Sequence, residues 1–288
     1  MILELLFSGL VNGAIYALIA LGFMIIYSAT GVINFAQGEF VMVGAMLTAW
    51  LAGRGWPLLL VLPLALAGAT LTGILTERFT IRPAREASPL TLIIITIGVS
   101  ILLKGVAMLL WGKEPLPASP FWAGPPLSFF KAALPRQGLL VLGTSALVFV
   151  VVAAFFRYTL WGKAMRACAY NRFGARILGI NLSGLTCLAF GISAALSGLA
   201  GTVIAPLVFA SYDMGTMLGL KGFSAAVFGG LGSAGGALLG GFILGILEAL
   251  AAGYLSSAYK DAIAFILLLV VLFLRPEGLL SPEKMEKL

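Results

Sequence analysis

Four ionisable side chains stand inside otherwise apolar stretches: Glu39, Lys104, Lys221 and Glu248. A charge at bilayer depth costs about 2.5–3.5 kcal/mol on insertion scales, so each needs a partner, a water-filled cavity or a function. Glu39 comes with Asn34 and Gln37 in the stretch Gly31-Val-Ile-Asn-Phe-Ala-Gln-Gly38-Glu39-Phe40. Polar residues bracketed by glycines between two apolar runs fit a broken or re-entrant helix, with its freed backbone groups satisfied inside protein. The alternative is a short wetted loop between helices. Read functionally, Asn34, Gln37 and Glu39, together with Lys221 and Glu248, are candidate polar groups along a passage for a small solute. Lys104 and Glu248 could neutralise each other, or Lys104, seven residues before Trp111, could snorkel. Asp213, in Ser211-Tyr212-Asp213-Met214-Gly215, reads as a solvated loop charge or as a contact for a soluble partner.

Other chemistries are poorly served. Histidine is absent, which removes the commonest general base and metal ligand. The two cysteines, Cys168 and Cys187, are too few for a zinc site and lack the CxxC spacing. No metal is therefore expected, and an integral-membrane enzyme is disfavoured. There is no Gly-x-x-x-x-Gly-Lys-Ser/Thr phosphate loop, so the chain is not expected to hydrolyse ATP. The net charge of +7 points to basic loops on one side of a membrane rather than to nucleic acid. The start, Met1-Ile2-Leu3-Glu4, lacks the basic region of a cleavable signal peptide.

The elements that must hold these groups are greasy. Of 288 residues, 61% are hydrophobic and 10% charged. A soluble domain cannot hide that much apolar surface, because roughly 30% of what its unfolded chain exposes stays at the surface. The expected fold is an all-α polytopic membrane helix bundle, one transmembrane domain over 1–288. Spans of about 20 residues are sought at 5–29, 38–52, 57–76, 90–111, 138–156, 186–209, 219–232, 235–255 and 260–274. That makes eight or nine segments, and 38–52 and 219–232 are short enough to be tilted, re-entrant or broken.

Basic residues orient the bundle. Arg78, Arg82 and Arg85 lie in 77–89; Arg157, Lys163, Arg166, Arg172 and Arg176 in 157–185; Arg275, Lys284 and Lys287 in the tail. These regions hold eleven of the eighteen basic residues and are assigned to the cytoplasm. Counting back, the N-terminus falls outside. The proline-rich loop 112–137, with Trp111, Phe121 and Trp122 about it, is expected to form an ordered external cap or a plain linker.

Small residues recur every fourth position at Gly232, Gly236 and Gly240, and again at Gly241, Gly245, Ala249 and Gly253. Such stripes let helices approach closely. Residues 163–180 place Ala167, Tyr170, Gly174, Ile177 and Leu178 on one helical stripe with Arg166, Arg172 and Arg176 mainly off it. One amphipathic helix is expected there, lying on lipid or seated in a partner's groove.

Four fragments in order resemble one family: Gly31-Val-Ile-Asn-Phe-Ala-Gln-Gly38; the 163–180 loop with Asn181-Leu182; Gly219-Leu-Lys-Gly-Phe-Ser-Ala-Ala-Val-Phe-Gly-Gly230; and Leu274-Arg275-Pro276-Glu277-Gly278-Leu279. They look like the permeases of branched-chain amino acid ABC transporters of the LivH type, over about residues 5–281. The resemblance implies a multi-pass protein of the bacterial inner membrane that forms the translocation path by alternating access. Its implied partners are a sister permease or a second copy, two cytoplasmic ATPases that carry the ATP and magnesium, and an external substrate-binding protein. No cofactor is implied on this chain. The resemblance further implies a coupling segment comprising Arg166, Ala169, Asn171, Phe173, Gly174, Ala175, Leu178 and Gly179. Phe173-Gly174-Ala175 and Gly179 match the family's Glu-Ala-Ala, three residues, Gly pattern, with Phe173 in place of the glutamate. Permeases for urea or short amides are similar, and a self-sufficient secondary transporter or channel is the other reading.

Overall fold

The computed structural model describes residues 2–129, 132–256, 259–275 and 277–280. Lys131, Pro276, Lys284 and Lys287 therefore lie outside the described residues. Among those described, the order is α1 (Ile2–Thr30), α2 (Gln37–Gly53), α3 (Leu58–Thr76) running on through a π-helical turn (Glu77–Ile81), α4 (Pro89–Trp111), β1 (Leu127–Phe129) and β2 (Ala132–Leu134). Then come α5 (Arg136–Tyr158), α6 (Leu160–Tyr170), α7 (Arg172–Ile177), α8 (Leu182–Ile204), α9 (Met214–Gly229), α10 (Ala234–Tyr254) and α11 (Lys260–Leu274).

Apolar residues all round a helix mean that it is either enclosed by other helices or bathed in lipid, and both cases occur. Helix α1 is enclosed: 89% of its most apolar window is buried, by α10, α8, α9 and α5 around it. In α3, α4 and α5 the corresponding share is 22%, and side chains such as Leu59, Leu109 and Val150 point outward. That outward grease is what a lipid-facing ring requires. Six helices are long and apolar enough to cross a bilayer, among the described residues. Helices α2, α9 and α11, of 17, 16 and 15 residues, are shorter, so the expected eight or nine segments turn on these three.

The glycine rows lie where helices nearly touch. A Cβ at Gly241 or Gly245 would meet Ala17 or Gly13 of α1, and one at Gly236 or Gly240 would meet Gly229 or Ala225 of α9, all at 2.5 Å or less. Gly232 departs from the expected row. It lies in the turn between α9 and α10 at φ +100, and a Cβ there would meet nothing within 4 Å, so backbone conformation rather than packing selects it.

The all-α expectation needs one amendment. The proline-rich stretch contains an antiparallel hairpin, Leu127 opposite Leu134 and Ser128 opposite Ala133. A further bridge joins Leu116 to Ala210, and Gln137 accepts from Phe121 N while donating to Val203 O. The stretch is thus held by backbone pairing and side-chain hydrogen bonds rather than running as a plain linker.

Candidate functional site

Helix α1 stops at Thr30, the chain runs non-helically through 31–36, and α2 begins at Gln37. The Gln37 side chain packs where a Cβ on Gly22 would stand, eight residues before Thr30. At 1.5 Å per residue, α2 thus starts roughly 12 Å along α1 from its end. This is the broken helix, and Asn34, Gln37 and Glu39 are all buried within it. Their surroundings differ. Gln37 is a brace: its Nε2 donates to Ser197 Oγ (2.6 Å), and its Oε1 lies 2.9 Å from Ser193 Oγ, which is also 2.9 Å from Gly22 O. Three helices, α1, α2 and α8, are thereby cross-linked. Glu39 faces α4 and α9 instead. Its Oε1 accepts from Ser100 Oγ (2.8 Å) and Thr216 Oγ1 (3.3 Å), and Lys104 Nζ donates to Thr216 Oγ1 (3.1 Å).

Lys104 is thus drawn to the Glu39 cluster rather than to Glu248. Glu248 Oε1 is held by Lys221 Nζ (2.8 Å) and Lys260 Nζ (3.2 Å), and Lys221 also reaches Asp261 Oδ1 (2.6 Å). Lys221 lies 5.7 Å from the centroid of the Tyr16 ring. Two cations and two carboxylates from α9, α10 and α11 therefore form a neutral network, which is how ions survive in a low-dielectric interior. Lys260 and Asp261 escaped the sequence reading because they open an apolar span and look like ordinary end charges. Ser193 and Ser197 escaped it too, although hydroxyls at i and i+4 of one helix share a face. Asp213 is exposed and accepts from Ser211 Oγ at 2.6 Å.

Asn34 belongs to a different place. It lines a chamber of about 450 Å³ at the end of the bundle where the π-turn, the 82–88 loop, α7 and the start of α8 meet. Arg82, Arg85, Arg172 and Arg176 stand in its wall against Glu77 and Glu86. The π-turn explains Glu77: by prolonging α3 it buries a carboxylate that the sequence assigns to a solvated loop, with Arg82 Nε 3.8 Å away. Thus Asn34, Gln37, Glu39 and the Lys221–Glu248 pair occupy four separate sites and are not brought together.

The 163–180 segment also differs from expectation. It is two helices, broken at Asn171 (φ −151, ψ 101), whose Oδ1 accepts from Gly174 N (2.9 Å) and caps α7. Helix α6 turns Gly162, Met165 and Cys168 inward, and burial pushes the Cys168 thiol above its ordinary range despite Arg172 nearby. Ala175 is buried and anchors α7. Phe173 and Leu178 are 74% and 80% exposed, and Arg166, Ala169, Asn171 and Gly179 are exposed too. Gly179 closes α7 at φ +80, a conformation that suits glycine. Arg172 Nη1 donates to Thr30 O, so α7 is tied to the last carbonyls of the central helix.

The wider likeness of the chain agrees with this layout. The family described as branched-chain amino acid transport system, permease component, matches residues 5–272. LivH, the high-affinity branched-chain amino acid transport system permease protein of Escherichia coli K12, is 35% identical over 300 residues, covering 99% of this chain and 97% of LivH. BraD, the corresponding permease protein of Pseudomonas aeruginosa, is 35% identical over 302 residues with the same coverage. The fold is similar to that in the structure of PsaBC from Streptococcus pneumoniae in complex with Fab, at a TM-score of 0.52 and 14% identity over 94% of this chain and 91% of that one. With an apolar bundle, an exposed capped segment at its basic end and these relatives along nearly its whole length, the chain belongs to the family of branched-chain amino acid transport permease components.

Proposed function

We propose that the chain is the membrane-spanning subunit of an ATP-driven importer of branched-chain amino acids, sited in the bacterial inner membrane. It acts as a single domain over 1–288, with eight or nine crossings once α2, α9 and α11 are included. It pairs with a sister permease, or a second copy, and the path lies between them. Two separate ATPases bind ATP and magnesium and dock on α6–α7; this chain holds no cofactor or metal. An external binding protein delivers the substrate to the capped end. ATPase closure displaces α7, and through the Arg172–Thr30 contact the displacement reaches α1 and tilts the bundle between inward and outward states. The glycine contacts between α1, α9 and α10 allow that movement at close range.

The observation that carries this reading is the pair of exposed side chains Phe173 and Leu178 on a segment anchored into the bundle by Ala175. The experiment is reconstitution with the partner ATPases, sister permease and candidate binding proteins in liposomes, measuring labelled leucine. ATP-dependent accumulation that requires the binding protein is expected. Accumulation by the chain alone on an ionic gradient would establish the secondary-carrier alternative instead, and uptake of urea or short amides without leucine would reassign the substrate.

A further inference from the structure

The chamber at the basic end contains two buried side chains with an unmatched atom. Asn34 and Glu77 are each 1% exposed. Asn34 Oδ1 accepts from Ala36 N (3.1 Å), which fixes the amide's orientation and leaves Nδ2, a donor, with no hydrogen-bond partner. Glu77 Oε2, an acceptor, likewise has none. Both residues line the same cavity. Unsatisfied buried polar atoms are costly and rare, and one donor and one acceptor left over in a single cavity call for a ligand carrying the reciprocal pair.

The remaining wall specifies that ligand further. Ile26, Ile81, Leu92 and Phe190 supply apolar surface, and Arg82, Arg85, Arg172 and Arg176 outnumber Glu77 and Glu86, which leaves positive charge for an anionic group. A volume of about 450 Å³ falls in the range of small-molecule sites, roughly 300–1,000 Å³. We propose that this chamber is a binding site for an α-amino acid with an aliphatic side chain, entered from the basic end of the bundle. The carboxylate takes the Asn34 amide and the guanidinium charge, the ammonium takes Glu77, and the side chain lies on the apolar wall. A simple anion would take the Asn34 amide and the guanidinium charge but bring no donor to Glu77 Oε2, the oxygen that Arg82, 3.8 Å from Oε1, leaves without a hydrogen bond. Since α7 forms part of the wall, an occupied chamber ties the coupling segment to the π-turn, and accumulated product slows further import.

The choice of ligand rests on the importer reading, and the test separates the two. The complete transporter in nanodiscs, without its binding protein, is titrated with labelled L-leucine. A saturable site is expected that leucine displaces. Leucinol, lacking the carboxylate, and 4-methylpentanoate, lacking the ammonium, should fail to displace it at tenfold higher concentration. Asn34→Leu and Glu77→Gln should each weaken it by about tenfold or more. Absence of the site on a complex that still accumulates leucine, equal competition by either analogue, or full-strength binding to both variants would overturn the proposal. Where a variant does not assemble, the analogue series on the unaltered complex decides. A complex that binds leucine in this pattern yet imports none would sink the importer reading and leave the chamber standing.

Discussion

Glu248 illustrates what a carboxylate requires at this depth: two ammonium groups, at 2.8 and 3.2 Å, one of them shared with Asp261. Removing one member of a buried ion pair typically costs about 3–5 kcal/mol, because the survivor stays charged and dry, whereas replacing both with apolar groups is far milder. Lys221→Met and Glu248→Leu should each lower the thermal midpoint in detergent severely. The double variant leaves Lys260 and Asp261 as a neutral pair and should recover most of the loss. Strict additivity of the two effects would mean that the network is not coupled. The sequence marked both residues but not their pairing. Its suggested partner for Glu248, Lys104, sits on α4, which packs against α2 and the π-turn, whereas α10 packs against α1, α9 and α11. A hydropathy pattern gives each charge a depth along its own helix and says nothing of which helices adjoin. Glu77 failed for a related reason: its burial comes from one extra π-turn, which leaves no periodic signature.

At the scale of elements, the segment between α5 and α8 was legible as basic and helical, but the single stripe expected through Ala167, Tyr170, Gly174, Ile177 and Leu178 is divided between two helices, with Tyr170, Ile177 and Leu178 exposed and Ala167 and Gly174 half-buried. The break was not legible, because the 3.6-residue rhythm of small and apolar residues passes straight through Asn171. The available signal was the capping chemistry itself, an asparagine whose side chain reaches the N–H three residues on. Loss of such a cap costs about 1 kcal/mol, too little to unfold a bundle but enough to loosen a six-residue helix. Asn171→Ala should therefore leave yield and thermal stability nearly unchanged while the ATPase turnover needed per leucine imported rises. Gly179→Leu, forcing a branched side chain into φ +80, should have the same effect more strongly. Unaltered coupling in both variants would show that α7 transmits nothing.

For the molecule as a whole, the governing contrast is between enclosed α1 and the greasy faces of α3, α4 and α5, which composition foretold and periodicity alone could not apportion. Charge then orients the bundle. The chamber gathers arginines from two loops at one end, while the hairpin and the Leu116–Ala210 bridge close the other. The bias of basic residues toward the cytoplasm predicts that the chamber and α7 face inward and the proline-rich stretch outward. With the native cysteines replaced, Lys113→Cys and Leu178→Cys place single thiols at exposed positions of opposite ends. A membrane-impermeant maleimide added to intact cells should label the first and reach the second only after permeabilisation. Assembly with the ATPases should then protect position 178 and leave 113 reactive. Labelling of both thiols from one side would refute the orientation, and an unprotected position 178 in the full complex would move the motor's contact elsewhere on the chain.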